Sequence, residues 1–134
     1  MQLTTHLGFS GQCEAAFTFY EQCFGGKIVA MMRYGETPME TPAHWRNAII
    51  HARLAVGDAL LMGADTPPDR NQTPSGFSVA LDVTQPAEAE RIFSALAEEG
   101  MVQMPMAETF WAVRFGMVTD RFGTPWMISC EQAA

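Results

Sequence analysis

Apolar positions change their period repeatedly along the chain. Residues 2–9 (QLTTHLGF) form a short β-compatible run bounded by Ser10-Gly11, after which Cys13, Phe17, Tyr20 and Phe24 recur at helical spacing. Gly25-Gly26 supplies the residue in left-handed conformation that commonly closes a helix, and KIVAMMRYG then reads as a second strand. Glu36 to Arg46, with two prolines, reads as a loop. NAIIHARLAV and ALLMGA follow as two β-rich runs around Gly57-Asp58, a tight hairpin signal. The order so far is β-α-β-β-β.

Asp65 to Gly76 holds three prolines and Asn71-Gln72, the composition of a linker. Beyond it the order repeats. In FSVALDV, Ser78, Ala80 and Asp82 alternate against Val79, Leu81 and Val83. Pro86 suits the first turn of a helix whose apolar stripe is Ala89, Ile92, Phe93 and Leu96, and Gly100 is expected to end it. Strands are predicted at about 101–108, 112–119 and 124–130. Sliding the chain by 74 residues matches Leu7 to Leu81, Glu14 to Glu88, Phe19 to Phe93 and Gly26 to Gly100. Paired glycines after paired amphipathic helices predict an internal duplication. The expected architecture is α+β within a single domain, 1–134. Modules 1–64 and 77–131 are joined by linker 65–76, and their strands form an open, cupped mixed sheet around a cleft with the helices outside.

Composition narrows the partners. The 134 residues carry a formal net charge of −7 and no Lys/Arg cluster, so nucleic acid is not expected. Apolar runs fall far short of a membrane span, and MQLTTHLGF lacks a basic segment followed by an apolar block. Cys13, Cys23 and Cys130 are an odd set without CxxC spacing, which fits free thiols in a reducing, cytoplasmic setting.

Three stretches carry a resemblance: FYEQCFGGKI, IIHARLAVGDALLMGAD and, most specifically, AETFWAVRFGMVTDRFGTPWMIS from Ala107 to Ser129. Through them the chain resembles the PhnB-like branch of the glyoxalase, bleomycin-resistance and extradiol-dioxygenase (vicinal oxygen chelate) superfamily. The resemblance implies paired βαβββ modules and, commonly, a homodimer. It implies no one reaction, because members isomerise, cleave rings, open epoxides or sequester drugs. Some PhnB-like chains carry a demethylubiquinone methyltransferase label, yet no glycine-rich nucleotide loop is present here to hold a methyl donor.

Superfamily enzymes hold a divalent metal through His, Gln or Glu on the first and last strands of each module. Here His6 stands near the first position. The other positions fall on Leu60 to Met62, on Phe77 to Val79 and on Trp126 to Ile128, none a good ligand. Because three protein ligands are the usual number, no metal and no other cofactor are predicted; a displaced set of His6, His51 and Glu108 is the arrangement that would hold one.

His51, mid-strand, matches a histidine common in PhnB-like chains and is a general acid–base candidate. Glu108, beside Thr109-Phe110-Trp111, is a candidate for proton transfer or pocket polarity. Trp111 and Trp126 could stack on a flat ligand, although large aromatics more often serve the core. Arg114 reads as a surface ion-pair former and Asp120 to Gly123 as a turn. The expected function is binding of a small, partly apolar organic molecule, shaped by His6, His51, Glu108, Trp111 and Trp126. The alternatives are a metal-dependent glyoxalase- or dioxygenase-like enzyme and a non-catalytic homodimer that sequesters an antibiotic or metabolite.

Overall fold

The structure, a computed structural model, describes residues 1–67, 69–70 and 72–131. The chain divides into two compact units, Met1–Gln72 and Thr73–Ala134. In the first, strand β1 (Thr5–Phe9) leads to helix α1 (Cys13–Phe24), followed by β2 (Lys27–Arg33), β3 (Ile49–Val56) and β4 (Ala59–Asp65). The second has β5 (Val79–Asp82), helix α2 (Pro86–Ala97), β6 (Met101–Ala107), β7 (Arg114–Thr119) and β8 (Pro125–Cys130). Each unit forms a four-stranded mixed sheet, ordered β1-β4-β3-β2 and β5-β8-β7-β6. In both, the first strand runs parallel to the last and the remaining pairs are antiparallel. Two βαβββ modules of one topology are what the sequence repeat predicted.

Each helix covers one face of its own sheet. Cys13, Ala16, Phe17, Tyr20 and Cys23 are buried on α1, and Ala89, Ile92, Phe93 and Leu96 on α2. Phe17 meets Phe9 edge-on at 6.2 Å and Tyr20 at 6.0 Å. Its ring lies over Gly63, where a Cβ would come within 2.6 Å of it; Phe93 lies likewise over Gly116, where the approach would be 2.8 Å. Fully burying one such phenylalanine contributes about 2–3 kcal/mol.

The paired glycines have a different reason from the one expected. Gly25 alone takes the left-handed cap of α1, at φ +70°, its N–H reaching Glu21 O at 3.1 Å. Gly26 and Gly100 are instead close-approach positions, where a Cβ would stand 2.5 Å from Ala55 O and 2.4 Å from Thr119 O. At the end of α2 the left-handed residue is Glu99, at φ +59°. Other boundaries shift by a few residues. β1 begins at Thr5, and β5 keeps only four residues, leaving Phe77 outside and half-exposed. The loop after β2 contains two 3-10 turns, Tyr34–Glu36 and Ala43–Trp45.

Asp65, placed at the head of the linker by composition, is the last residue of β4 and is buried. Its Oδ1 accepts from the N–H of Gly11 at 2.8 Å and of Cys13 at 2.9 Å, and its Oδ2 from Ile49 N–H at 2.8 Å. One carboxylate thus caps α1 from across the unit and ties down the start of β3.

Candidate functional site

The face of each sheet turned away from its helix carries the chemistry. In the first unit Leu7, Phe9, Leu54, Leu61 and Gly63 point towards α1, so alternation sends His6, Met62, Arg53 and His51 to the other face. His6, Met62 and Arg53 form one cross-strand row. His51 lies two residues further along β3, opposite Met32. Two strand spacings and two residues separate the imidazoles' Cα atoms by about 12 Å, too far to share one ion directly. His6 is exposed and His51 half-buried, whereas His44 is exposed on the second 3-10 turn.

In the second unit the open face carries Ala80 and Asp82 of β5, Met127 and Ser129 of β8, and Phe115, Met117 and Thr119 of β7. Above the end of the β7–β8 pair is an open pocket of about 460 Å³ whose apolar walls include Pro74, Phe77, Met117, Trp126 and Met127, with Gln103 at its polar edge. Gln103 Nε2 donates to Thr119 Oγ1 at 2.8 Å. Among the described residues no Asp, Glu, Lys, Arg or His lines it. Trp126 is 2 % exposed, and its Nε1–H donates to the buried Asp120 Oδ2 at 2.9 Å. It is a core residue with an edge in the pocket. Asp120 also accepts from Phe122 N–H and Thr124 N–H, so the turn at 120–123 is held by a buried carboxylate.

Glu108 and Trp111 lie in the β6–β7 connection and do not line this pocket. Glu108 is exposed. Trp111 meets Phe110 at 4.8 Å and Phe115 at 5.3 Å, in a turn closed by Thr109 N–H to Ala112 O at 3.0 Å. Arg114 pairs with Glu90 of α2 at 2.9 Å.

A second, more polar pocket of about 610 Å³ lies in the first unit beside Glu14, Arg33, His44, Trp45 and Asn47. Arg33 donates to both oxygens of Glu14, at 3.1 and 2.8 Å. This pairing holds the Glu14 carboxyl below its usual range and Arg33 above its own. The three cysteines are buried and stand outside any disulfide, and burial together with the nearby Asp65 charge pushes the Cys13 thiol up to about 12.

Sequence reading considered Phe77 and Met127 only as poor metal-ligand positions and passed over Gln103 and Met117. The alternation within FGMVT and PWMIS marks Met117 and Met127 as opposite in face to Val118 and Trp126. Phe77 carries no such signal, because it lies in the chain segment before β5, and Gln103 is brought to the pocket by the pairing of β6 with β7.

A family model described as 3-demethylubiquinone-9 3-methyltransferase matches residues 1–129. The chain belongs to this PhnB-like family. It is 35 % identical to Protein YjdN of Escherichia coli (strain K12), over 96 % of this chain and 95 % of that protein. Protein PA1353 of Pseudomonas aeruginosa has a crystal structure that superposes with a TM-score of 0.91 at 49 % identity, covering 98 % of each chain. A PhnB protein from Bacillus cereus superposes at 0.83 with 27 % identity, over 97 % of this chain and 99 % of that one. In fold alone the likeness extends to a glyoxalase/bleomycin resistance/dioxygenase family enzyme from Burkholderia phytofirmans PsJN, at TM-score 0.67 and 13 % identity over 96 % and 97 % of the two chains. The fold is that of the vicinal oxygen chelate superfamily.

Neither group that these kinships imply fits the residues present. For a divalent metal, the open faces of the first and last strands offer His6 and Met62 in one unit and Asp82, Met127 and Ser129 in the other. The Asp82 Oδ1 already accepts from Ser129 Oγ at 3.0 Å and from Glu131 N–H at 3.3 Å. Among the described residues no three His, Cys, Asp or Glu side chains are grouped as a metal site. For a nucleotide-type methyl donor, the glycine-bearing turn before α1 has its Gly11 and Cys13 N–H groups committed to Asp65. The turn before α2 contains no glycine and opens on Pro86.

Proposed function

We propose that this family member binds a small, uncharged, largely apolar organic molecule in the pocket of its second module. The pocket itself carries the reading: about 460 Å³, walled by Phe77, Met117, Trp126 and Met127, with no charged side chain among the described residues that line it. Pockets of this size and character suit small organic ligands, and thioethers beside aromatic rings adapt to varied flat shapes. Because the lining holds no titratable group, the pocket favours sequestration over acid–base turnover. Of the residues singled out by sequence, Trp126 belongs to this site; His6, His51, Glu108 and Trp111 would act on a ligand only from outside its lining.

We also propose a cytoplasmic homodimer. Three buried cysteines outside any disulfide suit a reducing compartment. On the edge strand β6, Met101, Val102 and Met104 are 67 %, 43 % and 44 % exposed, and residues 101–107 carry no charge to deter pairing with a second copy. Among the described residues no helix is long and apolar enough to cross a membrane.

A thermal-shift screen of uncharged aromatic compounds tests the pocket. Compounds that raise Tm in the native chain should lose their effect in Phe77→Ala, since Phe77 is half-exposed and dispensable to the core. Equal stabilisation of both proteins would sink the reading.

A further inference from the structure

Resting on the reading of the second module's pocket as a ligand site, we propose that this pocket selects molecules that carry a hydroxyl group, through a donor and an acceptor presented side by side by Gln103 and Thr119. Both residues line the pocket, Thr119 half-buried on β7 and Gln103 exposed on the edge strand β6. Their side chains are joined, Gln103 Nε2 donating to Thr119 Oγ1 at 2.8 Å. The apolar walls of Met117, Trp126 and Met127 adjoin this polar end.

The bond between the two side chains uses only part of what they offer. A carboxamide has two N–H donors and an oxygen acceptor, and a threonine hydroxyl accepts and also donates its own proton. One amide N–H and one lone pair of Thr119 Oγ1 are spent on each other. Among the described residues, Gln103 Oε1 receives no hydrogen bond and the Thr119 O–H gives none. An acceptor and a donor therefore remain at the pocket edge. Oε1 and Nε2 belong to one carboxamide, so Oε1 and Oγ1 are at most about 5 Å apart, and a single oxygen about 2.8 Å from each spans that gap. The mutual bond also holds both side chains in place before a ligand arrives, which lowers the ordering cost of binding.

That pairing selects a chemical class. A hydroxyl donates to Oε1 and accepts from Thr119 through the same atom. An ether or ketone oxygen only accepts, a ring N–H only donates, and a methyl group does neither. An ionised group would leave water with no opposite charge among the described lining residues to receive it, and the net charge of −7 further disfavours an anion. Ser75 and Ser78 add single hydroxyls on the segment before β5, whereas Gln103 and Thr119 are the pair whose mutual bond fixes their direction. The ligand class is thus a neutral, flat, apolar molecule with a hydroxyl at one end, its body lying against thioethers and ring edges.

Equilibrium dialysis of the full chain against 2-naphthol and 2-methylnaphthalene at pH 7 tests this, since the two probes differ only in hydroxyl against methyl. Two net hydrogen bonds, less the burial of one methyl group, leave 2-naphthol an advantage of about fivefold. The ratio of the two dissociation constants should collapse towards one in Gln103→Leu and in Thr119→Val. A general loosening of the pocket would weaken both probes and leave the ratio in place. Equal binding of the two probes by the native chain, abolished in Phe77→Ala, would overturn the hydroxyl selection while the pocket reading stands. A fivefold preference that persists in both variants would overturn the assignment to Gln103 and Thr119. Binding of neither probe, or equal binding in the native chain and Phe77→Ala, would remove the pocket reading and this selection together.

Discussion

Asp65 shows how much one side chain can hold in place. Its carboxylate receives three backbone N–H groups from two elements, and all of these atoms lie in or beside the core of the first unit. Asp65→Ala leaves those donors without an acceptor and should cost about 3 kcal/mol, measured as a lowered urea midpoint at unchanged m-value. Cys13, next to it, gives a pH signature. Its thiol ionises near 9.0 when free and near 12 in the folded chain, so the native state keeps a proton that the unfolded chain has lost between those values. Stability from this group is therefore complete below pH 9 and falls as pH rises towards 12. The urea midpoint should decline above pH 9 more steeply in the native chain than in Cys13→Ala. At pH 8 a thiol reagent should leave all three cysteines unmodified until denaturant is added, because all are buried.

At the scale of elements, the two helices solve the same problem differently. α1 stops on Gly25 in the left-handed region, and α2 puts Glu99 there, which strains a residue with a Cβ. Glu99→Gly should raise stability by about 1 kcal/mol, read by chemical denaturation. The pair that Glu99 makes with Arg121 is largely exposed on the glutamate side and offsets little of this gain. Gly100→Ala should do the opposite, since its Cβ would stand 2.4 Å from Thr119 O and force β7 away from the helix end. The duplication was legible in the sequence because each helix must present one apolar stripe and each return to the sheet must pass a glycine. The reason for the glycine was not. A capping glycine and a close-approach glycine look alike in one dimension, and only a carbonyl from a strand 29 residues away in Gly26, or 19 in Gly100, separates them.

For the whole molecule, the proposed homodimer makes Tm depend on protein concentration. It should rise over a hundredfold dilution series run in reverse, and sedimentation should give about twice 14.8 kDa. A concentration-independent Tm with a sedimenting mass of one chain would exclude it.

Hydrophobic period, turn residues and the 74-residue repeat were enough to determine two βαβββ modules and the buried faces of both helices, while the PhnB-like family was carried by the resemblance of three stretches of sequence. These properties are local or repetitive: a helix buries every third or fourth residue and a strand every second, whatever lies around them. What shares a pocket is not local. Trp126 was visible in sequence, but Phe77 joins it only through the path of residues 74–78, and Gln103 only through the pairing of β6 with β7. Asp65 acts across more than fifty residues of chain. Register and chain path are decided by the sum of packing contacts over the sheet, which is why the tertiary structure alone could assign these residues their neighbours.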